Sequence, residues 1–232
     1  MTAMRSIDTL DGNNSFNCYV AEPENKPKAA IIVIQEIFGV NAGIRRKADK
    51  LAEAGYLAIA PDLFWQLEPG IELDPDIEGE MQEALDLMQK FDQDEGIRDI
   101  EATIRFARSE FGVSKVGAVG YCLGGRLAYM AAARTDSDAT VGYYAVGVDG
   151  LLGEKDAIAN PLMLHIPEED GFVDKETQKA MHDGLDDHPK VTLHDYPGMD
   201  HGFATEFGNR RDEENAATAD KRSMDFFAQH LG

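Results

Sequence analysis

The chain has 232 residues, 43% of them hydrophobic. That is enough to bury about 70% of the surface of the unfolded chain, so it is expected to fold as one domain, residues 1–232, without disulfide staples. Acidic residues outnumber basic ones 43 to 22, and the net charge of −21 at pH 7 repels phosphate backbones and anionic lipid, so neither nucleic acid nor membrane is an expected partner. The two cysteines, Cys18 and Cys122, are too few for a disulfide framework.

Met1 to Ser15 is polar and lacks an apolar core segment, so no signal peptide is expected there. No apolar run reaches the roughly 18 residues of a membrane span. Phe16 to Val20 reads as an early strand, with Cys18 a small buried residue. Ala29 to Ile34 is a β-branched run, as in a strand buried on both faces. Ala42 to Gly55 has helical spacing, with Gly55 where the helix would end. Leu57 to Ala60 is a short strand stopped by Pro61. Phe64 to Ile77 contains Pro and Gly and reads as an irregular excursion. Helices are expected over Gly79 to Phe91 and Ile97 to Phe111, then a strand over Lys115 to Val119. A Gly-rich turn leads into a helix from Leu123 to Arg134. Strands follow at Thr140 to Ala145 and Leu162 to Ile166, a helix at Val173 to Leu185, a strand at Val191 to Tyr196, and a closing helix from Glu213 to His230. Such alternation implies a mostly parallel sheet with helices on both faces.

The most informative segment is Val116-Gly117-Ala118-Val119-Gly120-Tyr121-Cys122-Leu123-Gly124-Gly125. It fits Gly-x-nucleophile-x-Gly, with cysteine where serine is usual, and it has the strand before and helix after that this motif requires. Small residues two before and two after the nucleophile avoid clashes across the reversal. Cys122 would stand at a helix N-terminus, where free amides and the dipole favour a thiolate, the reactive form. The Leu123 amide points into the same space and can bind a developing oxyanion. The plainer alternative is a buried structural cysteine.

Six histidines compete for the role of base. His165 and His194 fall within strands, His182 and His188 flank a helix end, and His230 is close to the terminus. His201 follows the last strand and the turn Pro197-Gly198-Met199-Asp200, where a loop would present it to a site. For the orienting acid, Asp170 lies just after the strand Leu162 to Ile166, on a loop of the kind that lines sites in open α/β sheets. Glu168, Glu169 and Asp174 are nearby alternatives, and Asp170 could instead be a helix N-cap. The order Cys122, Asp170, His201 is nucleophile, acid, histidine. Glu36, at the exit of the first strong strand, is either solvated at the rim or set into the site. The Ile37 amide could complete an oxyanion hole with that of Leu123.

From Phe16 to Leu231 the sequence resembles the dienelactone hydrolase (carboxymethylenebutenolidase) family. The stretches that carry the resemblance are Gln35-Glu36-Ile37-Phe38-Gly39-Val40-Asn41, Ala60-Pro61-Asp62-Leu63, Leu73-Asp74-Pro75, Gly120 to Gly125, Gly142-Tyr143-Tyr144, Asp170-Gly171-Phe172-Val173 and His201-Gly202-Phe203. The resemblance implies an α/β-hydrolase fold and hydrolysis of cyclic enol-lactones with no metal or organic cofactor. It makes Cys122 the nucleophile, His201 the base, Asp170 its orienter, and Glu36 the group that contacts the resting thiol and helps ionise it. It also suggests a monomer, and a working thiol suits a reducing cytoplasm.

The departures concern the substrate. The family grips a substrate carboxylate with two arginines, and by position these fall at Met81 and Thr205, neither of which can pair with an anion. A tyrosine that helps hold substrate falls at Leu85. The expected substrate is therefore a neutral lactone, a simple activated ester, or a larger carboxylate gripped elsewhere. Arg126 is a candidate replacement, though a structural role suits it too. Phe38, Trp65, Tyr144, Phe172 and Phe203 are expected along the pocket with Met81, Leu85 and Thr205. The leading reading is a thiol-dependent ester or lactone hydrolase. A non-catalytic small-ligand binder and an acyltransferase on the same fold are the alternatives.

Overall fold

A computed structural model describes residues 1–232. Eight strands, β1 Thr2–Asp8, β2 Ser15–Ala21, β3 Ala30–Ile34, β4 Leu57–Pro61, β5 Val116–Tyr121, β6 Ala139–Tyr143, β7 Leu162–Pro167 and β8 Val191–Tyr196, form one sheet in the order β1-β2-β4-β3-β5-β6-β7-β8. β1 pairs antiparallel with β2, β2 pairs antiparallel with β4, and the strands from β4 to β8 are parallel. The helices are α1 Ala42–Glu53, α2 Glu80–Lys90, α3 Gln93–Phe111, α4 Leu123–Arg134, α5 Lys175–Leu185 and α6 Glu213–Leu231.

The central strands are apolar on both sides because both sides are covered. Ile32 and Ile34 of β3 and Ala118 of β5 join a core shared with α3, α4 and α5. Ile31 and Val33 of β3 and Val119 of β5 join a second core with α1 and α6. β3 lies between β4 and β5, so the chain leaves β3 in one direction and returns on its other side. In open α/β sheets the crevice at such a reversal, beyond the strand C-termini, is where ligands bind. The residues leaving β3 and β5 there are Glu36 and Cys122.

Several bounds differ from the sequence reading. β1 was not expected. Only Ile7 of its seven residues is buried, so it has no apolar alternation and exists by pairing with β2. α3 starts four residues early because the Asp92 side chain caps it, accepting from the amides of Asp94 and Glu95. α5 starts at Lys175 with Asp174 as its cap, which frees Asp170 from that role. β6 ends at Tyr143, since Tyr144 takes a φ of 38°. A 3₁₀ helix, Asp149–Ala157, buries only Leu151 and left no periodic signal. No helix is long and apolar enough to cross a membrane.

Candidate active site

The turn from β5 into α4 is a close approach of backbones. A Cβ on Gly120 would fall 1.8 Å from the Gly124 carbonyl oxygen, and one on Gly124 would fall 2.5 Å from the carbonyl oxygens of both Ile34 and Gln35. No side chain fits at either position. The same contact lays the exit of β3 against the first turn of α4, which brings the Ile37 segment toward Leu123. Cys122 itself adopts φ 56° and ψ −115°, a conformation L-residues avoid. Its amide donates to the Tyr143 carbonyl at 3.0 Å, so β6 helps hold it there. Leu123 begins α4, and its amide has no acceptor within the helix.

His201 and Asp170 meet in the interior. The ring Nδ1 lies 2.9 Å and 3.1 Å from the two Asp170 carboxylate oxygens. Both side chains are nearly inaccessible, at 6% and 1% exposure, so little water competes for this contact. Asp200, which the sequence reading passed over, fixes both loops: its Oδ1 accepts from the Gly171 amide at 2.9 Å and the His201 amide at 2.6 Å. Tyr144 packs its ring 4.9 Å from that of His201, and Phe172 meets the same ring edge-on at 4.8 Å. Burial pulls the His201 pKa down. Electrostatic interaction with Cys122 and the hydrogen bond to Asp170 outweigh it and push the value up to about 10. Burial pushes the Glu36 carboxyl above its usual range, against the pull of His201, Lys47, Tyr144 and Arg210.

The other histidines have structural partners. His165 lies between the Tyr196 hydroxyl at 2.7 Å and the Ser223 hydroxyl at 2.9 Å. His182 bridges Asp186 and Asp195, and His194 stacks on His165.

A cavity of about 240 Å³ opens over this set. Glu36, Ile37, Cys122 and His201 line its reactive end, and Phe38, Met81, Leu85, Phe172 and Thr205 line its wall, as expected. Four expected pocket residues do not line it. Trp65 stacks on Phe16 of β2 at 6.2 Å and donates to Asp99 of α3 at 2.8 Å, so it faces a separate groove. Arg126 is spent on structure, donating to the Gln93 side chain at 2.7 Å and to the Gly147 carbonyl. Phe203 is buried beneath the site between Tyr144 and Tyr196. Tyr144 lines not this cavity but a neighbouring one of about 210 Å³, which shares Glu36 and Thr205 with it.

Lys47 of α1 stands in the floor of that second cavity, paired with Glu206 at 3.0 Å and Asp220 at 3.4 Å. The side chains of Lys47 and Glu206 are 7% and 5% exposed. Arg210, not singled out from the sequence, reaches the mouth of the reactive cavity. Only the fold could reveal it, because nothing in Gly208-Asn209-Arg210-Arg211 distinguishes it from a solvated charge.

The family model of the dienelactone hydrolase family matches residues 16–231. The chain belongs to the dienelactone hydrolase family. A provisionally named carboxymethylenebutenolidase of Azospirillum brasilense is 44% identical over 95% of this chain and 96% of its own. The carboxymethylenebutenolidase of Pseudomonas putida is 38% identical over 96% and 94%. Among solved structures, a provisionally named dienelactone hydrolase from Klebsiella pneumoniae superposes with a TM-score of 0.84 at 26% identity, covering 99% of this chain and all of the other. This dienelactone hydrolase family member therefore has the α/β-hydrolase fold and is a hydrolase of the ester and lactone kind.

Proposed function

We propose that the protein hydrolyses an ester or lactone through a thioester on Cys122, with its 232 residues working as one domain. The observation that carries this reading is the buried His201 ring, held by Asp170 at Nδ1 and lining the same end of one cavity as Cys122. The raised His201 pKa favours a protonated ring that can later donate to the leaving group. As substrate enters, Glu36, which lines the same end of the cavity as Cys122, takes the thiol proton. The thiolate then attacks the carbonyl carbon, and the amides of Ile37 and Leu123 receive the oxyanion. The carbon–oxygen bond breaks, and the leaving oxygen takes the His201 proton. Water, deprotonated by His201, attacks the thioester and releases the acid and the thiolate. Asp170 keeps Nδ1 protonated, so the other ring nitrogen faces the reaction.

The substrate differs from the dienelactone the family is named for, because Met81 and Thr205 stand where the resemblance places two arginines, and Leu85 extends an apolar wall. The experiment is rapid mixing with p-nitrophenyl acetate. A burst of nitrophenol and one acetyl group on the peptide containing Cys122 are expected. A protein that binds the ester without a burst, with Cys122 unreactive toward iodoacetamide, would be a binder and not an enzyme. Dienelactone turnover with a low KM would overturn the substrate reading.

A further inference from the structure

The reactive cavity has one lysine or arginine along its wall, and its head has no partner. Arg210 makes no ion pair and donates no hydrogen bond to any protein group, although the chain carries 43 acidic side chains. Glu36 and Asp200 feel its charge, yet neither comes within ion-pair distance. Its neighbours, by contrast, are tied down. The Arg211 guanidinium donates to the Thr205 carbonyl at 2.7 Å, and the Asp212 amide to the Phe203 carbonyl at 2.9 Å.

The stem of Arg210 is also built in. It crosses the face of Gly202, beside His201. A Cβ on that glycine would fall 3.2 Å from the Arg210 Cδ, and its φ of 80° already excludes most side chains. From there the guanidinium carbon lies 5.9 Å from the centre of the Phe172 ring, which in turn packs edge-on against His201. Stacking on an aromatic face limits where a guanidinium points while leaving its in-plane donors open. The result is an oriented, unpaired fork at the rim of the cleft, with the apolar side chains of Met81, Leu85 and Met88 elsewhere on the same wall.

We propose that Arg210 is a specificity-determining residue that binds a carboxylate carried at the far end of the substrate, separated from the scissile carbonyl by an apolar segment. This rests on the hydrolase reading above and specifies its third substrate option, the larger carboxylate gripped elsewhere. A carboxylate set close to the carbonyl would meet Met81 and Thr205 instead, and neither offers it a charge. In a molecule of net charge −21, a cation at the mouth also offsets the repulsion an anionic substrate meets on approach.

The test uses matched activated esters that differ only in a terminal carboxylate: p-nitrophenyl hexanoate against mono-p-nitrophenyl adipate, and the octanoate against the suberate. The wild type is expected to favour the carboxylated member of at least one pair. Arg210→Gln should lower the anionic-to-neutral ratio of kcat/KM about tenfold, mainly through KM, as expected for loss of a charge-assisted contact at a partly exposed site. Arg210→Lys should restore part of it, and added salt should erode it. Equal losses on both esters, or no preference in the wild type, would overturn the proposal. Binding of adipate and hexanoate to Cys122→Ala, measured by calorimetry, does not depend on turnover. Failure of the wild type to cleave any ester would overturn the hydrolase reading, and loss of adipate's advantage in Cys122→Ala/Arg210→Gln would still support this one.

Discussion

The two ends of the cleft are made of different material. At the reactive end, position is set by backbone: Cys122 is clamped by glycines whose replacement would collide with main-chain carbonyls, and Glu36 and Ile37 leave a strand that touches the same turn. At the substrate end, position is set by side chains on α2 and on the loop after His201, half-buried or exposed and free to differ in size and charge. The first cannot change without moving two strands. The second can change one residue at a time, which is how a family's chemistry can stay while its ligand does not.

The contrast can be broken most directly at the sulfur. Cys122→Ser should lower kcat on p-nitrophenyl acetate by at least about 10³-fold, since the loss of a nucleophile removes most of what a catalytic set achieves. Activity within tenfold of wild type would mean that the thiol does no chemistry. Next in size is Gly124→Ala, which forces a methyl against two carbonyls. It should cost about 2 kcal/mol, or about 4–8 °C in Tm, and lower kcat as well. Met81→Leu, of similar volume, should cost under about 1.5 kcal/mol. Calorimetric scans of both variants test whether the two ends differ in their tolerance of substitution.

A titration sharpens the electrostatics. In Cys122→Ala the sulfur no longer supports the imidazolium, so the His201 pKa, followed by NMR of the ring, should fall from about 10. The sign of the stability effect follows. A histidine raised above its unfolded value near 6.5 stabilises the fold fully below that pH and loses the contribution as pH rises through about 10. Cys122→Ala should therefore lose its share of that stability at a lower pH than wild type. An unshifted His201 would place the source of the shift elsewhere. The smallest effect on catalysis belongs to Trp65→Phe. It leaves Asp99, which burial already pushes up to about 6 against the pull of the Trp65 hydrogen bond, without that partner. A loss of about 1–3 kcal/mol with kcat/KM unchanged is expected, and a change in kcat/KM would return Trp65 to the cleft.

The sequence was most readable where structure follows from local rules. Ala29 to Ile34 could be assigned because a strand covered on both faces must be apolar throughout, and Gly120 and Gly124 because a tight reversal admits nothing larger. Asp170 and His201 could be paired as expectations because loops leaving parallel strands converge. β1 could not be read, since its stability lies in main-chain pairing with a distant segment. Trp65 and Arg126 were misplaced because an aromatic or a cation near a motif carries no sign of which way it turns. Asp99 and Gln93 decided those directions, both from α3. Arg210 escaped notice for the converse reason: its meaning lies in the partner it lacks.

Lys47 and Glu206 join α1 to the loop that carries Thr205 and Arg210, through a contact sealed from solvent. Swinging that loop outward would break the buried Lys47–Glu206 pair and leave Lys47 with Asp220 alone. The far wall of the cleft is thus a template fastened from behind and not a lid. Molecules too bulky for it are turned away at the door, because little in its construction lets it yield.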